Sequence, residues 1–202
     1  MFKTLLFLGA GAAQHGGGSR LLQRLGGLVH RMPVTTACMI AGCMGLAALP
    51  PGPGFASEWL LFQAVLAAPR IGGLALQTGM AVLAALMAMA AALAAMAAVR
   101  LLGVAFLGRP RTPRVAGAME VGPEARWAMI GLVAVSAFIG LFPGVVLALI
   151  EPALRQMLRT DISVQFGALA VRPGAEAPGY AALIVGAMLG AGAIGIFWAL
   201  RR

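Results

Sequence analysis

The stretch Leu49-Pro50-Pro51-Gly52-Pro53-Gly54-Phe55-Ala56-Ser57-Glu58 decides how this chain folds, because it cuts an otherwise continuous apolar region in two. Val34–Leu49 lies before it and Phe55–Ala68 follows it. As helices the two halves would each be roughly 21–24 Å long at ~1.5 Å per residue, too short to cross a hydrocarbon core of about 30 Å comfortably. Three prolines in four positions lack N–H donors and clash with the preceding turn, so no helix runs through them. The halves are either a hairpin of two short crossings or one crossing interrupted within the membrane.

Composition identifies the solvent. Of 202 residues, 61% are hydrophobic and 10% charged, and the mean hydropathy is +0.94. A soluble domain carries about 25% charged residues, and a chain this short buries too little of its surface to stay in water with so few. Cytosolic and secreted globular folds are excluded. The net charge of +9 would suggest nucleic acid in a soluble protein. Here the excess sits in loops between apolar runs, where it reads as membrane topology, so the expected partner is a lipid bilayer and not nucleic acid. Cys38 and Cys43, inside an apolar run at neither metal-knuckle nor CxxC spacing, read as small buried hydrophobes. The Met1–Leu8 run looks superficially like a signal peptide, but it breaks into Gly9, Gly11, Gln14 and His15 while the chain stays apolar to its end. No cleaved signal is expected.

Three stretches are long enough to span without a charge: Ile71–Val99, with a continuation past Arg100 to Leu107, Trp127–Ile150 and Gly179–Leu200. Gly186 and Gly190 have the small-xxx-small spacing that lets another helix approach, with Gly192 and Gly195 beyond them. Charge counting separates the two readings of the broken region. With one interrupted crossing, Arg20, Arg24, Arg31, Arg109, Arg111, Arg114, Arg126, Arg201 and Arg202 share a side against Arg70, Arg155, Arg159 and Arg172, nine against four. With two crossings the split is seven against six. An excess of Lys and Arg marks the cytoplasmic side. The interrupted crossing is therefore expected, with the Leu21–Met32 loop and the C-terminus in the cytoplasm.

Broken helices in membranes leave backbone groups that protein or water must satisfy, and transporters use such breaks for ion sites. Glu58 follows this break and is the only acid inside an apolar segment; Glu120, Glu124, Glu151, Asp161 and Glu176 fall in loops or at span ends. A carboxylate in hydrocarbon is costly when ionised, which suits a group that exchanges protons. Ser57 and Gln63 are candidate relay or water-ordering partners. The competing reading makes Glu58 a cap on the first turn of the second half-helix. Lys3 is an interfacial charge if Met1 is the true start. If the chain continues upstream, Lys3 lies within a helix and needs an acidic partner or water. His15 and His30 sit at helix ends, where an interfacial role competes with proton relay.

These residues resemble a known family. Phe2-Lys3-Thr4-Leu5-Leu6-Phe7-Leu8-Gly9-Ala10-Gly11 with His15 is similar to the lysine-bearing helix of the antiporter-like proton-pumping subunits of respiratory complex I, Mrp antiporters and membrane-bound hydrogenases. Leu25-Gly26-Gly27-Leu28 and Arg31-Met32-Pro33-Val34-Thr35 resemble its cytoplasmic loop, and the proline-rich stretch its interrupted helix. Ser57-Glu58-Trp59-Leu60-Leu61 and Gly103-Val104-Ala105-Phe106-Leu107-Gly108-Arg109-Pro110 look most like the hydrogenase-4 and formate hydrogenlyase branch of that family.

The resemblance implies an all-α, polytopic membrane helical bundle with one discontinuous transmembrane helix. Residues 1–108 would be the C-terminal part of the proton-conducting domain, with a partial lysine helix, the broken helix over 34–68 and a long helix over 73–105. Residues 109–202 would add two further transmembrane helices, 127–150 and 179–200, with connecting loops. It implies that Lys3 lies on a central hydrophilic axis and that Glu58 is the terminal proton-exchanging group. It further implies a multi-pass subunit of a bacterial or archaeal inner membrane, part of an oxidoreductase complex whose redox centres sit in other membrane and hydrophilic subunits, with no cofactor of its own. A non-transporting scaffold and a cation/proton antiporter are the alternatives. Family members are several hundred residues longer at the N-terminus, so a C-terminal fragment of a larger antiporter-like fold is expected.

Overall fold

A computed structural model describes residues 1–67, 73–158, 165–167, 170–172, 180–181, 184–188 and 191. The first helix, α1 (Phe2–Gly17), stops at Gly18, whose φ of 65° allows its N–H to reach the Gln14 carbonyl at 2.8 Å. Two short 3-10 turns, Leu22–Arg24 and Leu28–His30, lead to α2 (Pro33–Leu46), which opens on proline. That position suits proline, because the first N–H of a helix has no intrahelical partner.

Glycines set the spacing of α1 and α2. A side chain on Gly9 would collide with Met39, one on Gly42 would press on Leu5 and Leu6, and one on Gly45 would meet Phe2. The numbers rise on one helix as they fall on the other, so the pair is antiparallel and close-packed, in the manner of small-residue membrane interfaces. At its far end the pair shares a core with Leu25, Leu28, Met32, Phe106 and Val115.

The N-terminus of α2 is held from a distance. Its own N-cap, Met32, offers no side-chain acceptor. Glu120, in the segment before α6, accepts from the Val34 N–H at 3.0 Å, the Thr35 N–H at 3.4 Å and the Thr35 hydroxyl. A carboxylate there satisfies orphan donors and complements the positive end of the helix dipole.

At the other end, α2 closes in a turn built without glycine. Ala48 takes φ 48°; the Leu49 N–H reaches back to Met44 O at 3.0 Å and the Ala48 N–H to Gly45 O at 3.4 Å. This is the Schellman arrangement with alanine in the left-handed position. The Pro50–Pro51 peptide is cis, and α3 (Pro53–Ala67) starts at Pro53. Gly54 lies against the Gly45 carbonyl.

The long helix α4 (Leu74–Leu101) continues through a π turn, Leu102–Phe106, into Leu107, whose carbonyl accepts from the Gly27 N–H at 2.9 Å. This helix distinguishes the two readings of the broken region. It climbs about 50 Å at ~1.5 Å per residue and ends beside the start of α2. A hairpin would return α3 to that same level, leaving the link from Ala67 to Leu74 to cover the full height. Seven residue steps reach about 25 Å, so α2 and α3 form one interrupted crossing. The exposed face of α4 is apolar, with Val99 71% and Leu74 77% exposed, as a lipid-facing helix requires.

Two expectations are corrected. The single span expected over Trp127–Ile150 is two helices, α6 (Pro123–Leu141) and α7 (Pro143–Leu158), after the one-turn α5 (Pro113–Ala116). Pro143 forces the break by pushing Phe142 out of the helical region, to φ −121°, ψ 56°. Glu151 is thus inside α7 and not at the end of a span. Downstream, where loops were expected, three short strands pair antiparallel in the order β1 (Gln165–Gly167), β2 (Ala170–Arg172), β3 (Tyr180–Ala181). The expected span Gly179–Leu200 therefore opens on a strand. Residues 184–188 are helical, while Gly190, Gly192, Gly195 and most of the remainder lie outside the described residues. So do Arg70, Arg159, Arg201 and Arg202 of the charge count.

The break is clasped by glycines from other elements. A Cβ on Gly140 of α6 would strike the Pro51 carbonyl and come within 3.0 Å of Gly52 and Pro53 backbone, and one on Gly186 would come within 3.3 Å of the Pro51 ring. Gly140→Ala is expected to destabilise the fold by about 1–3 kcal/mol, since rigid backbone must give way. Gly131→Ala, on the same helix with open space around it, is expected to be neutral or to stabilise by up to ~1 kcal/mol. Thermal unfolding in detergent measures both, and equal midpoints would refute the clasp. In the same assay Glu120→Ala is expected to cost about 1–2 kcal/mol, with Glu120→Gln recovering part of it.

Candidate functional site at the helix break

Glu58 is the sixth residue of α3 and half-buried. It stands beyond the first turn, where the dipole's influence has largely fallen away, so the capping alternative loses its geometric basis. Ser57 is exposed, and its hydroxyl donates to the Gly54 carbonyl at 2.8 Å. Gln63 is half-buried. At ~100° per residue it lies about 140° around the helix from Glu58, so the two do not share a face. Gln63 instead shares a face with Trp59, one turn earlier. The Trp59 ring stacks on Phe55 with centroids 6.0 Å apart, and its indole Nε1 is buried without a hydrogen-bond partner.

Lys3 is exposed on α1, immediately after Phe2, which packs on Gly45 at the break. Lys3 therefore sits near the level of the break, yet among the described residues it forms no ion pair with Glu58. His15 is exposed in the last turn of α1, about 20 Å along the helix from Phe2. His30 is exposed in the second 3-10 turn. Neither histidine is gathered to the break.

Between the break and α6 lies a cavity of about 150 Å³, lined by Phe2, Met44, Gly45, Pro51–Pro53, Ser136 and Leu141 among others. Ser136 Oγ is buried with no partner. Together with the Trp59 indole it gives two uncommitted hydrogen-bonding groups on helices that flank or follow the break. A buried polar group without a protein partner is a natural seat for water. Sequence reasoning passed over Ser136 and Trp59, because one serine in an apolar run and one tryptophan near a helix start look like ordinary membrane residues. It also passed over Glu120, for which the missing acceptor at the α2 N-cap was the available signal.

The chain is similar to hydrogenase-4 component B of Escherichia coli (strain K12), 33% identical over 70% of this chain and 21% of the relative. It is 38% identical to formate hydrogenlyase subunit 3 of the same strain over 55% of this chain and 18% of the relative. It spans about a fifth of the length of these curated relatives. Its fold is shared with a chain in the structure of the membrane-bound sulfane sulfur reductase, an archaeal respiratory membrane complex, at a TM-score of 0.77 and 24% identity, over 96% of this chain and 29% of the other. Residues 1–84, which hold α1, the helical break and the start of α4, match the NADH:quinone oxidoreductase/Mrp antiporter transmembrane family.

Proposed function

We propose that this chain contributes to proton translocation within a respiratory complex of the hydrogenase-4 or formate hydrogenlyase type, with the redox chemistry carried by partner membrane and hydrophilic subunits. The supporting observation is the half-buried carboxylate of Glu58, five residues after Pro53, on the helix that restarts at the break. A carboxyl group beside a helix break stands where backbone groups need water or polar partners, whereas one in unbroken hydrocarbon has neither at hand. In this reading Ser136 orders water in the otherwise apolar cavity at the break, protons pass from there to Glu58, which does not itself line the cavity, and Lys3 feeds the same axis from α1. Ser57, adjacent to Glu58, is an outer member of the path; Gln63 lies on a different face of α3, and His15 and His30 at the opposite end of the bundle could serve only a distant entrance. The hydrogenase-type assignment draws on the two Escherichia coli relatives, whose names denote such complexes. We assign the Leu21–Met32 loop to the cytoplasm from the arginines gathered with it, Arg20, Arg24, Arg31, Arg109, Arg111 and Arg114; the expected cytoplasmic C-terminus rests on spans corrected above.

Glu58→Gln, introduced in the full-length context of the assembled complex, is expected to lower coupled proton translocation about 100-fold or more while the partner redox reaction continues. Proton uptake into vesicles, measured alongside electron transfer, reads both. Unimpaired pumping by the variant would leave the chain a scaffold, and sodium-driven exchange in place of redox-coupled uptake would make it an antiporter component. Ser136→Ala is expected to slow translocation severalfold without changing assembly, and an unchanged rate would remove the cavity from the path.

A further inference from the structure

At the end of the bundle away from the break, two loops are stitched together. Gly27 donates to Leu107, and Arg111 Nη1 donates to the Gln23 carbonyl at 3.1 Å. A side chain on Gly26 would come within 2.8 Å of the Arg109 carbonyl, and one on Gly18 would collide with the Arg114 guanidinium. The stitching gathers Arg20, Arg24, Arg109, Arg111 and Arg114 at one end, all exposed. Among the described residues none of them is paired with a carboxylate.

Within this basic end, Gln14, His15, Ser19, Arg20 and Arg114 line a mostly polar pocket of about 300 Å³. A second cleft of about 380 Å³ shares Gln14, Ser19 and Arg20 with it. That cleft runs between α1 and the end of α4, with Phe7, Ala10, Gly11, Leu101, Ala105 and Phe106 on its walls. The polar pocket thus opens into an apolar slot that follows α1 from Gln14 to Phe7, about 10 Å along the helix axis.

We propose that this continuous pocket and slot bind one anionic phospholipid, with the headgroup phosphate against Arg20 and Arg114 and the start of an acyl chain in the slot. A free phosphate satisfies only the polar half. A helix of another polypeptide would have to bring carboxylates of its own to face arginines that lack them. An anionic lipid meets both halves at once and lies at the depth where α1 leaves the apolar layer. Basic pockets between membrane helices recognise such headgroups. The site is independent of the role of Glu58.

The test reconstitutes the chain in nanodiscs of mixed phosphatidylglycerol and phosphatidylcholine, re-extracts it in mild detergent and counts the retained lipid by mass spectrometry. Phosphatidylglycerol is expected to be retained in preference to phosphatidylcholine, and Arg20→Gln and Arg114→Gln each to lower that preference about fivefold. Gly11→Leu projects into the slot where no protein atom lies within 4 Å, so it is expected to expel the lipid while leaving the melting temperature in detergent unchanged. Equal retention of the two lipids would overturn the proposal. Displacement of phosphatidylglycerol by inorganic phosphate, with Gly11→Leu silent, would overturn it in favour of a free-anion site. Disulfide capture of another polypeptide by Gly11→Cys in the membrane would overturn it in favour of a protein occupant.

Discussion

A backbone inside hydrocarbon has to satisfy its own N–H and C=O groups, and residues 47–52 are where this chain does so without a helix. The solution is local first. The turn at Ala48 returns two N–H groups to the last carbonyls of α2, Gly52 donates to Leu49 at 2.8 Å, and proline at Pro53 removes a donor that would otherwise be orphaned. It is then tertiary. Gly140 and Gly186 omit the side chains that would hold other elements away from the proline backbone. The strained φ at Ala48 is tolerated because packing on both sides over-determines the turn.

The position of the carboxylate follows from that constraint. Since α2 and α3 make one crossing, Glu58 falls beyond the break and short of the far end, on a helix flanked by α4 and α6. The same break leaves the cavity beside Ser136 and brings Phe2, and with it the level of Lys3, to the cut. A continuous helix of this composition would leave neither the left-handed turn at Ala48 nor the cavity beside it. The interruption is therefore what sets these groups beside one another, among helices whose outer faces are apolar.

Much of this was legible in the amino-acid order because proline and hydropathy act locally. Pro50, Pro51 and Pro53 announce the interruption, and the uncharged run after Gly73 announces α4. The choice between hairpin and single crossing had only loop arginines to rest on. The structure supplies a stronger argument, the height of α4 against a short link. Pro143 was read through because hydropathy does not change across it, although its steric effect on Phe142 is as local as that of the earlier prolines. Glu120 could not be assigned from spacing, since the amides it serves are 85 and 86 residues away. Ser136 is likewise invisible until α6 is laid along the break, and the paired strands over 165–181 carry too few residues each for alternation to register.

One arrangement bears on how the assembly could move. The chain segment that becomes α6 lies against α2 and holds the interrupted crossing at two levels, through Glu120 at the beginning of α2 and through Gly140 against Pro51, Gly52 and the Pro53 nitrogen that opens α3. The two rods are thereby splinted along their length, and sliding one past the other means tearing a charged clamp from one tip and a backbone contact from the other. The turn from Ala48 to Pro53, pinned by Gly140 and Gly186, is therefore the fixed joint between α2 and α3.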